Sequence, residues 1–160
     1  MQQFQALAQY PFLRMRRTRQ ADWTRRLVRE SAPRVDDLIW SIIVHDGVEP
    51  KVPIGAMPGI YRLNREEAAK AAAQAQAWGV PAIALFPHID PAKKDGVGRE
   101  ATNPKGLVAE TISAMKAAAP NVGIICDVAL DPFTDHGHDG LLQGGKIPND
   151  ATLERLVEQA

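Results

Sequence analysis

Three apolar runs alternate with helical segments along this chain, and that order constrains the fold more than any other feature. The runs occupy residues 38–44, 80–86 and 122–130, and each is almost continuously apolar. Such runs predict strands that are buried within a sheet. Strands of this kind joined by helices form a parallel sheet covered by crossover helices. The predicted fold class is therefore α/β.

Helix signals lie between and after these runs. Asn64 followed by Glu67 resembles a capping box, and Gly79 stands where a left-handed C-cap belongs, so the Ala-rich segment between them is predicted to be a helix. Residues 106–119 show helical spacing of apolar side chains, and a further helix is predicted to begin near Asp150.

The segments that follow the runs are predicted to be loops. Residues 47–64 contain three prolines and a Pro-Gly turn, and we expect one long surface loop there. Pro87 is expected to close the second strand, and a polar loop follows over residues 88–103. In α/β folds the chemistry lies at the carboxyl ends of the strands. The loops starting near His45, Pro87 and Asp131 are thus the predicted functional loops.

Composition excludes several classes of protein. The chain has 160 residues, 45% of them apolar and 24% charged, which is typical of one globular domain. Its apolar runs are far shorter than the roughly 18 residues of a membrane span. The first ten residues lack the features of a secretory signal. The single cysteine, Cys126, excludes an intrachain disulfide and a thiolate zinc cage. We expect a cytoplasmic protein that does not bind membranes.

Charge divides the chain into a basic arm, residues 1–35, and an acidic body, residues 36–160. The arm holds eight arginines against Asp22 and Glu30, whereas the body holds eleven basic and seventeen acidic residues. We expect an extended arm through residue 13 and then one short helix that ends before Pro33. A nucleic-acid patch is one interpretation of the arginines. We favour the alternative, in which they pair with carboxylates of another subunit and bind no nucleic acid.

The densest group of polar side chains follows the third run. Four carboxylates and two imidazoles fall within thirteen residues: Asp127, Asp131, Asp135, His136, His138 and Asp139. Hard divalent cations such as Mg²⁺ take oxygen ligands, which Asp127, Asp131 and Asp139 could supply. Carboxylates also stabilise cationic intermediates and accept protons.

A purely structural interpretation of the same segment is also open. Asp131 and Asp135 would form turns around Pro132, and His136 would hydrogen bond to the backbone. For His138 we favour this structural interpretation. For Asp127 we favour a function, because an unpaired carboxylate buried at the end of an apolar strand is costly.

Several motifs together resemble one family. They are Asp-Val-Ala-Leu-Asp-Pro-Phe-Thr at 127–134, His-Gly-His-Asp-Gly at 136–140, Met-Pro-Gly at 57–59, Leu-Phe-Pro at 85–87, Lys-Asp at 94–95, Glu-Ala at 100–101 with Asn103, and Arg-Met-Arg-Arg at 14–17. The chain resembles porphobilinogen synthase, the 5-aminolevulinate dehydratase family, over essentially its whole length.

The resemblance implies a (β/α)8 barrel preceded by an arm that wraps a neighbouring subunit, usually in an octamer. Residues 1–35 would form the arm and residues 36–160 the first three β/α units. The family condenses two molecules of 5-aminolevulinate into porphobilinogen with loss of two waters, an early step of tetrapyrrole and haem biosynthesis.

The resemblance also implies roles for individual residues. Zinc-using members carry three cysteines in this segment, and the matching positions here are Ala129, Asp131 and Asp139. The sequence thus resembles the magnesium-responsive subgroup, with Asp131 and Asp139 in the metal-binding positions and zinc not expected. Asp127 would line the active site. Phe86 could form a wall of the substrate site, although we favour a core aromatic at that position.

Length departs from the family pattern, since a barrel of this type takes about 250 residues. The family's two Schiff-base lysines lie on later strands, and Lys93, Lys94 and Lys146 match nothing catalytic. We expect this chain alone to be inactive. It would be a piece of a longer chain, a natural half completed by a second chain, or a smaller non-catalytic sheet.

Two other functions stay open at this point. The first alternative is a half-barrel that docks on full-length subunits and modulates their assembly without catalysis. The second is a module that only binds cations.

Overall fold

The computed structural model describes residues 16–160, so the extended arm predicted over residues 1–13 lies outside the described part. The chain divides into two compact units after Arg34. In the first unit, a turn of 3-10 helix, Arg17–Arg19, precedes helix α1, Asp22–Leu27. The short helix predicted in this region is confirmed.

The second unit is built on a five-stranded sheet. Its strands are β1 (Ile39–His45), β2 (Lys51–Pro53), β3 (Tyr61–Leu63), β4 (Ala82–His88) and β5 (Gly123–Cys126). They lie in the order β2-β3-β1-β4-β5. The pairs β3-β1, β1-β4 and β4-β5 are parallel, whereas β2 pairs antiparallel with β3. The predicted parallel sheet is confirmed, with a short antiparallel strand added at one edge.

Three helices accompany this sheet: α2 (Arg65–Trp78), α3 (Leu107–Ala118) and α4 (Asn149–Gln159). All three were predicted. The side chain of Asn64 accepts a hydrogen bond from the backbone N–H of Glu67 at 3.0 Å, and α2 ends at Gly79 with a left-handed φ of 76°. Within residues 16–160, no helix is long and apolar enough to cross a membrane.

The core lies on one face of the sheet. Ile42 and Val44 of β1 and Ile83 and Leu85 of β4 are buried there, packed with the buried alanines of α2 and with Met115 of α3. The opposite face is open in this chain, where Ile39 is 57% exposed, Phe86 43% and Ile125 46%. The expectation of fully buried strands therefore holds for only one face of the sheet.

Three expectations about element boundaries are wrong. Residues 47–64 contain β2 and β3 rather than one loop, because strands of three residues are too short to show a periodic pattern. Pro87 lies inside β4, opposite Val44 and beyond the point where β5 ends, which is a position that tolerates a missing N–H. The third strand stops at Cys126, four residues before the predicted end.

Candidate active site

Two of the predicted functional loops meet at the carboxyl ends of β4 and β5. A bridge joins Asp95, in the loop after β4, to Thr134, in the loop after β5. The N–H of Asp135 donates to the carbonyl of Asp95 at 3.2 Å, and the N–H of Asp95 donates to the carbonyl of Phe133 at 3.4 Å. Backbone hydrogen bonds thus hold the acidic segment against its neighbouring loop.

Asp95 is fixed in this junction by its own side chain. Its carboxylate accepts hydrogen bonds from the N–H groups of Val97 at 3.0 Å and Arg99 at 3.2 Å. Burial of Asp95 acts to raise its pKa, but these N–H groups together with the Arg99 charge outweigh it, and the pKa of Asp95 is lowered. The carboxylate is therefore a structural acceptor for the loop.

The acidic segment is anchored by buried side chains. Leu130, Phe133 and Thr134 are buried, and the N–H groups of Phe133 and Thr134 both donate to the carbonyl of Leu130, at 2.9 and 3.0 Å. This is the turn predicted around Pro132. His136 Nδ1 accepts the N–H of His138 at 3.2 Å, so the predicted backbone hydrogen bond of His136 is confirmed.

A cavity of about 590 Å³ lies at the ends of β4 and β5, and three of the four predicted site residues line it: Phe86, Asp127 and Asp131. Phe86 is 43% exposed and lies outside the buried core, so the favoured interpretation as a core aromatic is wrong. Asp139 does not line the cavity. Its Oδ1 accepts the N–H of Leu130 at 2.7 Å.

Asp127 comes directly after β5 and is exposed. The expectation that this carboxylate is buried is therefore wrong, because β5 ends at Cys126, one residue before Asp127. Burial, followed by the charge of Asp127, raises the pKa of the neighbouring Cys126 thiol. The carboxylate thus acts electrostatically on a side chain that also lines the cavity.

The cavity is acidic with apolar walls. Its charged lining residues are Glu100, Asp127, Asp131 and Glu158, and no Lys, Arg or His lines it among the residues described. Its walls include Leu85, Val108, Ile112 and Phe133. Fixed carboxylates beside apolar surface favour a small molecule that carries a positive charge, such as a protonated amine.

Sequence reasoning gave no role to three polar residues of this cavity. Glu100 accepts a hydrogen bond from Asn103 Nδ2 at 3.1 Å, and both residues line the cavity. Gln159 Nε2 donates to the carbonyl of Ala129 at 3.0 Å. Glu100 and Asn103 could have been found from the sequence, since both belong to the motifs that resemble the porphobilinogen synthase family. No sequence feature indicated a role for Gln159, because only the tertiary structure brings α4 to the acidic segment.

The predicted metal ligands do not form a complete coordination shell by themselves. Within residues 16–160, no group of three or more His, Cys, Asp or Glu side chains could hold a metal ion. Mg²⁺ is often held by one or two carboxylates and keeps several of its waters. Asp131 and Asp139 as metal ligands therefore stay a prediction.

Lys93 does not suit the role of a neutral amine nucleophile. Its ammonium forms an ion pair with Asp46, and this hydrogen bond raises the pKa of Lys93. A nucleophilic lysine needs the opposite change. The expectation that Lys93 is not catalytic agrees with this geometry.

Parallel strands, helices on one face and an acidic cavity at the strand ends define the chain as an α/β protein with its candidate site at the carboxyl ends of the strands. A family model described as delta-aminolevulinic acid dehydratase matches residues 12–160. The chain belongs to this family.

Relatives and a solved structure agree with that assignment. The delta-aminolevulinic acid dehydratase of Bradyrhizobium diazoefficiens is 48% identical over 148 residues, which cover 92% of this chain and 42% of the relative. The delta-aminolevulinic acid dehydratase of Streptomyces coelicolor is 40% identical over 153 residues, which cover 94% of this chain and 46% of the relative. The chain thus spans less than half the length of these curated relatives.

The solved structure is the crystal structure of delta-aminolevulinic acid dehydratase (porphobilinogen synthase) from Toxoplasma gondii, in complex with the reaction product porphobilinogen. It is 41% identical, with a TM-score of 0.85 over 92% of this chain and 42% of that chain. The predicted fold class, the N-terminal portion of a (β/α)8 barrel, is confirmed by this overlap.

Proposed function

We propose that the protein carrying this chain is a porphobilinogen synthase, a lyase that condenses two 5-aminolevulinate molecules to porphobilinogen with loss of two waters. The acidic cavity at the ends of β4 and β5 carries this proposal. The matching Toxoplasma gondii structure, which contains porphobilinogen, supports it. The product places the reaction in tetrapyrrole and haem biosynthesis.

The substrate's charges fit the lining of the cavity. 5-Aminolevulinate carries an amino group that is protonated near neutral pH, and each carbon–nitrogen bond formed from such an amine requires the loss of protons. Asp127 and Asp131 favour the ammonium form electrostatically, and Asp127 is suited to accept a proton when the amine attacks a carbonyl. Phe86 offers an apolar wall for the carbon chain of the substrate.

The lysine nucleophiles belong to the part of the barrel outside these 160 residues. Lys93 is held as a cation by Asp46, and nothing supports a catalytic role for Lys94 or Lys146. This chain then supplies the acidic wall of the site, and later strands supply the Schiff-base lysines that complete it.

Mg²⁺, rather than zinc, is the metal we propose for this site. The positions of the zinc-binding cysteines hold Ala129, Asp131 and Asp139, and carboxylate oxygens suit a hard cation. Asp131 and Asp139 would hold it, with waters completing the shell. The ion would supply electrostatic stabilisation of negative charge.

Assembly and location are further parts of the proposal. The arm of residues 1–35 would contact a neighbouring subunit in a homo-oligomer, an octamer in the family, and the arginines of this arm are suited to carboxylates of that subunit. The protein would act in the cytoplasm, on 5-aminolevulinate rather than on nucleic acid or membranes.

Borohydride trapping with 5-aminolevulinate, combined with intact mass measurement of the native protein, tests the proposal. Borohydride reduces a lysine imine to a stable adduct. An adduct on a longer chain or on a partner that contains these residues supports a completed synthase. A native protein of 160 residues that traps nothing and yet binds full-length subunits would instead support the docking half-barrel.

A further inference from the structure

One face of helix α4 contacts both loops that form the cavity at the ends of β4 and β5. Arg155 and Gln159 lie four residues apart on this helix, so their side chains share a face. Arg155 reaches the loop after β4, and Gln159 reaches the segment after β5. The helix therefore connects the two loops.

Arg155 fixes α4 to the loop after β4. Its Nε donates to the carbonyl of Val97 at 3.3 Å, and its Nη2 donates to the carbonyl of Gly98 at 3.4 Å. Its Nη1 forms an ion pair with Glu158 at 2.5 Å, and the Arg155 side chain is 18% exposed. A largely buried guanidinium with three acceptors holds the helix in one place against this loop.

Gln159 binds the segment after β5 through one half of its amide. Its Nε2 donates to the carbonyl of Ala129 at 3.0 Å. Its Oε1 is buried and has no hydrogen-bond partner within residues 16–160. A buried acceptor without a partner costs about as much free energy as one hydrogen bond provides. The amide therefore adds little net stability, and stability does not explain its contact with Ala129.

The backbone that Gln159 holds has little other support. β5 ends at Cys126, so residues 127–129 lie beyond its ladder with β4. Among the described residues, the backbone of residues 127–129 takes part in one hydrogen bond, the one that Gln159 donates. A fixed carbonyl at Ala129 restricts the backbone just before it, and the first residue of that stretch is Asp127.

Asp131, the other aspartate of this segment in the cavity, has separate support. The N–H of Leu130 donates to Asp139 at 2.7 Å, and two later N–H groups donate to the Leu130 carbonyl. The turn that carries Asp131 is thus fixed by its own hydrogen bonds. The contact made by Gln159 therefore acts on Asp127 more than on Asp131.

We propose that Gln159 is a positioning residue for Asp127, with Arg155 anchoring the helix that carries it. The inference rests on the proposed function, in which Asp127 accepts a proton from the substrate amine. Proton transfer requires the two groups within hydrogen-bond distance, and a small displacement lowers its rate steeply. The attraction between a carboxylate and an ammonium falls off slowly with distance. Gln159 should therefore affect kcat more than KM.

Steady-state kinetics of the complete protein with 5-aminolevulinate test this role. Gln159→Met removes the amide donor from a side chain of similar length and should lower kcat roughly tenfold, with KM changed less than about twofold. The Tm should stay near that of the parent. Glu154→Gln changes an exposed residue of the same helix that does not line the cavity. This control should match the parent in kcat, KM and Tm.

A double-mutant cycle with Asp127→Ala separates positioning from a general structural role. Once the carboxylate is removed, Gln159→Met has nothing left to position, so it should lower kcat no further in that background. An equal loss of kcat in both backgrounds would overturn the inference. Parent-like kcat in the single Gln159→Met variant would overturn it as well.

If Gln159→Met fails to fold, Gln159→Glu repeats the test, because an ionised carboxylate of the same size has no proton to donate. A complete protein that forms no porphobilinogen would overturn the proposed function and this inference together. An active parent whose Gln159 variants lose nothing, or lose kcat independently of Asp127, would overturn the inference alone.

Discussion

The two faces of the sheet both carry large apolar side chains but have different surroundings. Ile83 on one face is fully buried under the helices, whereas Ile125 on the other is 46% exposed. The backbone register places Ala84 beside Ile125 and Ile43 beside Phe86, so the open face is a continuous surface and not a local defect. One face carries the stability of this chain and the other is open. The candidate cavity lies at the strand ends between them, lined by Leu85 and Cys126 of the covered face and by Phe86 of the open face.

One buried face and one exposed face are expected for the first strands of a barrel. The inner face of a barrel is covered only when all of its strands close on one another. The edge of the sheet agrees, since β5 pairs with β4 alone among the described strands. We expect the 160 residues in isolation to dimerise or aggregate through this edge and face.

The largest expected effect is a difference in unfolding free energy between substitutions on the two faces. Ile83→Ala should cost about 2–5 kcal/mol of unfolding free energy, because it opens a cavity in the core. Ile125→Ala in the 160-residue chain should cost about 0.5 kcal/mol. Urea titrations of both variants, at protein concentrations low enough to keep the chain monomeric, measure these costs. Equal costs for the two substitutions would contradict the distinction between the faces.

A second prediction concerns the candidate site at the strand ends. Asp127→Ala in the complete protein should lower turnover of 5-aminolevulinate roughly 100-fold or more, because it removes a carboxylate suited to proton transfer, without lowering stability. Asp135→Ala changes an exposed carboxylate of the same segment that does not line the cavity, and it serves as the control. Unchanged turnover in Asp127→Ala would remove this residue from the mechanism.

A third prediction concerns the helix layer on the covered face. Asn64→Ala removes the cap of α2 and should cost about 1 kcal/mol, whereas Asn64→Ser keeps a capping oxygen and should cost much less. Thermal unfolding of the two variants measures the difference. Similar losses in both would show that the hydrogen bond to Glu67 does not stabilise the helix.

The smallest expected effect lies at Cys126, where the covered face ends and the site begins. Its raised pKa predicts thiolate formation above the ordinary thiol range, measured by the pH dependence of ultraviolet thiolate absorbance. Asp127→Asn should lower that pKa slightly, because burial is the larger cause. Asp135→Asn should leave it unchanged, and a shift of equal size there would show that Asp127 has no specific influence.

The raised pKa of Cys126 also determines how the free energy of unfolding changes with pH. An acid whose folded pKa exceeds its unfolded value stabilises the fold below the unfolded pKa, and this contribution is lost as pH rises through the folded pKa. Cys126→Ala should therefore reduce the loss of stability at alkaline pH.

Local signals in the sequence predicted the helices well. Asn64 and Gly79 fix the ends of α2 because capping depends on neighbouring residues alone. β2 and β3 were missed because strands of three residues are too short to show a periodic pattern, and Pro87 was misplaced because its tolerance depends on where β5 ends. For the site, the motifs predicted Asp127 and Asp131 in the cavity, but the burial assigned to Asp127 was wrong.

The sequence by itself determined the alternation of apolar strands and helices, the family and the acidic segment after the third strand. These follow from residue types and short spacings. Only the tertiary structure decided which face of each strand is covered, that Asp139 bonds to the backbone of Leu130, and that Gln159 reaches the cavity. Those outcomes depend on contacts between segments far apart in the chain, and no local pattern encodes such contacts.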